Sequence, residues 1–420
     1  MIKLNVNDNI KKNQFLILLF LYCTVLVSFL LGEDSTGGAH IDYPINNLLI
    51  TKFSENFTLT FLTYDEYSHR HSPVLLIFLS LFKKINFNFE IIRIIHLHLC
   101  LLLPISFFYC LKIKYPQCDR NILYLLTGLI FISPTFRTLS IWPDSRILGL
   151  TFFTISIYYF IRFQKTQKFE SILKNIIFLS FSSYISPNFS VFSVFFFLFY
   201  IKHFGFFTKN IFLIIFTNLI LAFPAFYYIF ILDINFLAQS AAVGRETNKI
   251  IFYNLSNDIL ISFSIILFYL LPFLVLRVIK LKNIYNIKNI FFSCIIFFYC
   301  IFNFDYQVDH TGGGIFLKLS QYFFENNFFF YTISLIAIIV LLPIFFKNIY
   351  NLIFLILIFL NNPQYTIYHK YFDPFIIIIF FTLLILEIDL MKLQKNLKKF
   401  LFIYFYFLIF LILSLLKNYA

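Results

Sequence analysis

Residues 328–346 read FFFYTISLIAIIVLLPIFF, an apolar run with no charged side chain. A helix needs about 20 such residues to cross the hydrocarbon of a bilayer, and about 17 at the least. Runs of similar character lie near 15–32, 91–111, 121–141, 147–162, 210–230, 259–279, 289–303, 374–388 and 400–416. The stretch 175–201 is interrupted at Ser186-Pro187-Asn188. Proline ends a helix, so this stretch predicts a hairpin of two short helices meeting at that break. Residues 349–360 read as one more short span. The fold class expected is all-α, a polytopic transmembrane protein of about 13 spans. Val74 to Phe82 is too short to cross and stops at Lys83-Lys84, which predicts an interfacial or re-entrant helix.

Composition points the same way. Of 420 residues, 60% are hydrophobic and 13% charged, against roughly 45–50% and 25% in soluble domains. Lipid must therefore be the solvent for most of the chain, and membrane lipids are its first expected partner. The 65 Phe and 27 Tyr, with long Ile and Asn runs, fit an AT-rich coding bias and are not by themselves a sign of an aromatic site. The net charge of +13 suggests no nucleic-acid partner, because Lys and Arg sit in short loops between apolar runs. Six cysteines without a C-x-x-C pair indicate neither a disulfide framework nor a zinc site. Residues 1–32 have the shape of a signal peptide but lack a small-residue cleavage site, and are expected to be an uncleaved first span. No soluble domain, repeat or linker stands out, so residues 1–420 are expected to form a single membrane-embedded domain.

Basic residues mark the inner side of a membrane. With the N-terminus inside, 21 of the 33 Lys and Arg fall on the inner side, while 15 of the 20 acids fall outside or near outer span ends. Acids contribute little to orientation, so their excess there suggests chemistry on the outer face. The first outer loop, residues 33–73, holds Glu33, Asp34, Asp42, Glu55, Asp65 and Glu66, followed by His69, Arg70 and His71. A carboxylate at such a boundary can serve as general base, with Arg, His or a divalent metal ion stabilising a phosphate leaving group. Asp65, Glu66 and His69 are the candidate metal ligands, although an H-x-H in a loop serves interfacial anchoring as readily.

The next outer turn runs from Ser133 to Arg146. Asp144 and Arg146 open an apolar span there, a costly place for charge unless it is paired or functional. The structural alternative is a cap, with Asp144 paired to Arg146 or to Arg137. Trp142, the only tryptophan, is expected to anchor at the interface. Further on, Tyr368 to Pro374 offers Lys370 as a phosphate ligand and Asp373 as a cap, or else an aromatic belt with a snorkelling lysine. Asp309-His310-Thr311-Gly312-Gly313-Gly314 reads as a flexible turn rather than an anion cradle.

Four features in order resemble the GT-C superfamily, the multi-pass glycosyltransferases that use lipid-phosphate-linked sugars, and within it the protein O-mannosyltransferase and aminoarabinose-transferase branch. They are the early loop acid at Asp42-Tyr43, the His-Pro-Pro-like entry at His71-Ser72-Pro73, the helix opening Glu90-Ile91-Ile92-Arg93, and the Pro134-to-Arg137 turn before a span with a basic end at Arg162. The resemblance covers about residues 14–202. It departs from the family where Tyr43 replaces a second acid and Ser72 the first proline. It implies sugar transfer from a polyprenyl-phosphate or polyprenyl-diphosphate donor to a hydroxyl on a glycan, lipid or protein acceptor, at the periplasmic face of a bacterial inner membrane. On that resemblance Asp42 would be the catalytic base, with Arg70 or His71 near the donor phosphate; the second acid would be Asp65, Glu66 or Asp144, with Asp144 favoured, and the charges at span entrances add Arg146 and Lys370 as donor-phosphate ligands. A polysaccharide polymerase or ligase using lipid-linked glycans and a lipid or solute transporter are the rival classes. The first tends to carry arginine-rich outer loops, in contrast to this chain, and the second is expected to place charges at the bilayer midplane.

Overall fold

The computed structural model describes residues 6–67, 69, 71–234, 255–279, 287–308, 312–362, 366–394 and 398–419. These are mostly helical, with no strand among them and one isolated antiparallel bridge between Ile279 and Ile388. The expected single domain takes the form of two compact units, Met1–Val243 with Tyr404–Ala420, and Gly244–Ile403.

The first unit opens with α1 (Val6–Leu31), α2 (Ala39–Glu55), α3 (Phe57–Leu62) and α4 (Val74–Lys84). Next come α5 (Phe89–Cys100), α6 (Leu102–Lys114), α7 (Arg120–Gly128), α8 (Pro134–Ile141), α9 (Ser145–Thr166), α10 (Phe169–Ile185), α11 (Ser193–Phe204) and α12 (Lys209–Phe226). In the second unit lie α13 (Leu255–Val275), α14 (Ile287–Phe302), α15 (Gly314–Phe324), α16 (Phe328–Phe346), α17 (Ile349–Leu360), α18 (Phe375–Thr382) and α19 (Met391–Gln394); α20 (Lys398–Tyr419) returns the chain to the first.

Six helices among the described residues are long and apolar enough to cross a bilayer: Phe89–Lys114, Ser145–Thr166, Lys209–Ile231, Leu255–Val275, Phe328–Phe346 and Lys398–Leu416. Their outward sides carry exposed apolar side chains, such as Phe212, Phe216, Leu219 and Phe223 on α12, which suit lipid contact. A pair counted as one bent span, Arg120–Ile132 with Pro134–Ile141, makes seven.

This is fewer than the about 13 expected: the runs 15–32, 289–303 and 349–360 form the shorter apolar helices Leu16–Leu31, Ile287–Phe302 and Ile349–Leu360, and two further runs differ in form. The run 121–141 bends by 62° at Ser133-Pro134, because proline cannot continue the ladder of the preceding turn and Ser133 Oγ instead accepts the Phe136 N–H at 3.0 Å as a new N-cap. The run 374–388 forms only the eight-residue α18, every residue of it buried. It is apolar because it is core, not because it meets lipid.

The hairpin at Ser186-Pro187 is present: α10 ends at Ile185 and a 3-10 turn over Pro187–Phe192 leads into α11. Gly149 on α9 allows that turn to come close, since a Cβ added there would lie 2.6 Å from Ser186 Cβ. The short helix at 74–82 is also present as α4, with Lys83 and Lys84 in its last turn. It packs Leu75, Leu76 and Leu79 into a core cluster with Leu49, Ile50 and Phe53 of α2.

Candidate functional site

The segment 33–73 is a built structure. Immediately after α1, Glu33 is buried and its carboxylate meets the Arg137 guanidinium of α8, with Nε donating to both oxygens at 2.9 and 3.1 Å and Nη2 to Oε2 at 2.8 Å. Arg137 also donates to Thr24 Oγ1, Thr24 O, Phe131 O and Ser28 Oγ. Burial pushes the Glu33 carboxyl up, but the hydrogen bonds and charge of Arg137, with Ser28 and Ser35, outweigh it and hold the group below the usual carboxylate range. Ser35 Oγ donates to Pro134 O at 3.0 Å, and the Thr36 N–H donates to Thr138 Oγ1 at 3.1 Å. The loop therefore lies on α8.

Asp34 then organises the turn into α2. Its carboxylate accepts the N–H groups of Gly37, Gly38 and His40 at 2.9, 2.9 and 3.1 Å. Gly37 and Gly38 have φ of 72° and 107°, which side-chain-bearing residues rarely adopt. The turn presents Asp42 exposed in the first turn of α2, where the helix dipole favours a carboxylate.

The segment Trp142–Arg146 is where the pieces meet. Trp142 Nε1 donates to Glu33 O at 3.0 Å, and its indole takes edge contacts from His40 and Tyr43 at 4.9 and 5.2 Å. Asn46, one turn along α2 from Asp42, donates to Pro143 O at 3.0 Å. Asp144 Oδ1 accepts the Arg146 N–H at 2.7 Å and so caps α9. His71 Nδ1 lies 3.3 Å from Ser145 Oγ, and Tyr64 Oη donates to His71 O at 2.8 Å. Arg146 is buried, its guanidinium 5.4 Å over the Phe189 ring.

Thus Asp42, His71, Asp144 and Arg146 all belong to, or border, segments packed on one five-residue turn. Two expectations about that turn need correction. Arg137 pairs with Glu33 rather than with Asp144, because the loop folds back over α8. Trp142 is buried instead of standing at the interface, because four segments close around it.

The candidate metal set does not converge. Among the described residues no group of three His, Cys, Asp or Glu side chains is placed to hold a metal ion. Asp65 and Glu66 sit in a 3-10 turn over Tyr64–Tyr67. His69 is buried, 5.0 Å from the His71 ring and edge-on to Tyr64 at 6.2 Å. Burial first, then the neighbouring His71, pull the His69 imidazole down to about 3, with Asp144 opposing. Since its folded value lies below its unfolded one, this histidine withdraws stability as pH falls from the ordinary histidine range toward 3. A His69→Gln variant is expected to unfold less steeply with acid over that window, measured as the midpoint of thermal unfolding at pH 7, 5.5 and 4.5. An unchanged acid dependence would show that His69 does not carry it.

Arg70 lies outside the described residues, as do Asp309 and His310. Lys370 belongs to the second unit, its Nζ 5.3 Å over the Tyr368 ring in the turn before α18. Beside it, His369 Nε2 accepts the Ile315 N–H at 3.0 Å, and Nδ1 lies 3.2 Å from Tyr269 Oη. Gly312 to Gly314 all have positive φ, and a Cβ at Gly312 would lie 2.5 Å from both Thr366 Cγ2 and Tyr306 Oη. The glycines serve close packing there, not the flexible turn expected.

Sequence reading named Glu33, Arg137 and Arg93 but not the Glu33 to Arg137 pair or the ring contacts of Arg93. Only Glu90 and Arg93, three residues apart, carry a local signal of pairing. No family model, no curated protein and no solved structure matches the chain.

Proposed function

We propose that the protein is a membrane glycosyltransferase that moves a sugar from a polyprenyl-phosphate-linked donor to an acceptor hydroxyl on the outer face of the membrane. The observation that carries this reading is the docking of the first loop on Trp142–Arg146, which gathers an exposed carboxylate, a histidine, a second carboxylate and an arginine beside apolar helices. In this reading Asp42 takes the proton of the acceptor hydroxyl as its oxygen bonds to the anomeric carbon. The bond from that carbon to the phosphate oxygen breaks, and the polyprenyl phosphate leaves with the electron pair, met by Arg146 and His71. Asp144, engaged as the α9 cap, orients the turn and supplies the second acid. Arg70 remains a candidate phosphate ligand. The topology proposed with it keeps the 33–73 loop outside, at the periplasmic face of a bacterial inner membrane, and includes the shorter apolar helices as spans.

Phosphate recognition has a direct optical readout, since Trp142 is the sole tryptophan and borders the site. Polyprenyl phosphate added to the protein in nanodiscs is expected to change Trp142 emission saturably, whereas the matching polyprenol is not. Arg146→Met is expected to weaken the response about tenfold, the size of one lost hydrogen bond to a charged group. Equal responses to phosphate and alcohol would contradict the reading.

A further inference from the structure

Arg93 stands at the start of α5, buried, in a cage of three rings. Its guanidinium carbon lies 3.8 Å from the Trp142 ring centre, 4.8 Å from Phe29 and 5.6 Å from Tyr43. These distances are within the range of cation–π attraction, which strengthens where water is excluded. Nε donates to Ile141 O at 3.2 Å, and Nη1 to the two oxygens of Glu90 at 3.1 and 3.2 Å. Nη2 is buried with no hydrogen-bond acceptor, so that end of the cation is left to the ring faces. The rings come from three different segments: α1, the first turns of α2, and the turn after α8.

We propose that Arg93 is a positioning residue, clamping the α2 turn that carries Asp42 against the Trp142–Arg146 turn that carries Asp144. It does not present its charge to a ligand. One guanidinium lies over the Trp142 and Tyr43 rings and holds the backbone of Ile141 by a hydrogen bond. Tyr43 adjoins Asp42 in sequence, and Trp142 lies two residues before Asp144. A lysine brings the charge but neither the plane nor the Nε donor, which separates geometry from charge.

The clamp's effect on catalysis rests on the glycosyltransferase reading, but its geometry does not, so the test uses both kinds of readout. Arg93→Met and Arg93→Lys proteins in nanodiscs are compared with wild type by Trp142 emission and by hydrogen exchange of peptides over 39–46 and 142–147. They are compared also by kcat and KM for sugar transfer. Unchanged exchange over α11 shows that each variant is folded. Both variants are expected to shift the emission and to speed exchange in the two peptides on the order of tenfold, with kcat falling and KM close to wild type. Arg93→Lys matching wild type in emission and exchange would overturn the clamp. If the wild type transfers no sugar while emission and exchange respond as expected, the clamp stands and the glycosyltransferase reading fails. If transfer is active and Arg93→Met keeps wild-type kcat, the clamp fails and that reading stands.

Discussion

Asp42→Asn is expected to lower sugar transfer by at least about 10²-fold, the usual contribution of a positioned general base, while donor binding stays near wild type. The side chain is exposed on the first turn of α2, so an isosteric amide there leaves no hole and removes no core contact. Its fold cost is expected to be on the order of 1 kcal/mol, the size of a carboxylate's interaction with a helix N-terminus. Loss of turnover with intact Trp142 emission is therefore a statement about chemistry rather than folding. Asp144→Ala is a weaker probe, because it also removes the oxygen that caps α9, and that loss mixes stability with catalysis.

The second large effect concerns Glu33 and Arg137. Removing one partner of a buried ion pair leaves a stranded charge and costs about 3–5 kcal/mol, a sizeable part of the roughly 5–15 kcal/mol that holds a domain folded. Arg137→Met is expected to be the worse single change, since it also strands Thr24, Ser28 and Phe131 acceptors. The pair Glu33→Met with Arg137→Met is expected to recover part of the loss, because no unpaired charge remains. Thermal unfolding of the three variants measures this, and equal stability of single and double variants would contradict it. The acid side follows with a definite sign. Glu33 is held below its ordinary value of 4.5 in the folded protein. Its contribution is thus complete above that value and is lost as pH falls through the depressed folded one. In Arg137→Met burial is no longer outweighed and raises the Glu33 carboxyl above its ordinary value, so this variant is expected to gain stability as pH falls through that raised value, the reverse of wild type.

Much of the architecture was readable because lipid and core demand long apolar helices, and a proline or a basic cluster ends them visibly. Ser186-Pro187 broke its hairpin where expected, and Lys83-Lys84 closed α4. Hydrophobicity alone does not say whether an apolar face meets lipid or protein, so the 374–388 run read as a span although α18 is buried on every side. The same limit hid Trp142, whose indole was expected at the interface but is enclosed by Arg93, Tyr43 and His40.

The site was legible as a list of residues and not as an arrangement. Asp42, His71, Asp144 and Arg146 were marked by charge at apolar boundaries. Nothing local tells that Glu33 and Arg137, 104 residues apart, find each other, or that Asn46 bonds to Pro143. Such pairings follow from how the loop folds over α8 and leave no periodic trace. The metal candidates failed for the related reason that neighbours in sequence need not converge: His69 turns inward to Tyr64 and His71.

The central claim is lipid-linked sugar transfer. The most direct test supplies wild-type protein in nanodiscs with a panel of polyprenyl-phosphate sugars, together with the corresponding nucleotide sugars, and measures released polyprenyl phosphate and glycosylated acceptor. Turnover with at least one lipid-linked donor, and none with nucleotide sugars, is the predicted result; no turnover with any lipid-linked donor, or turnover that needs only a nucleotide sugar, would contradict the account.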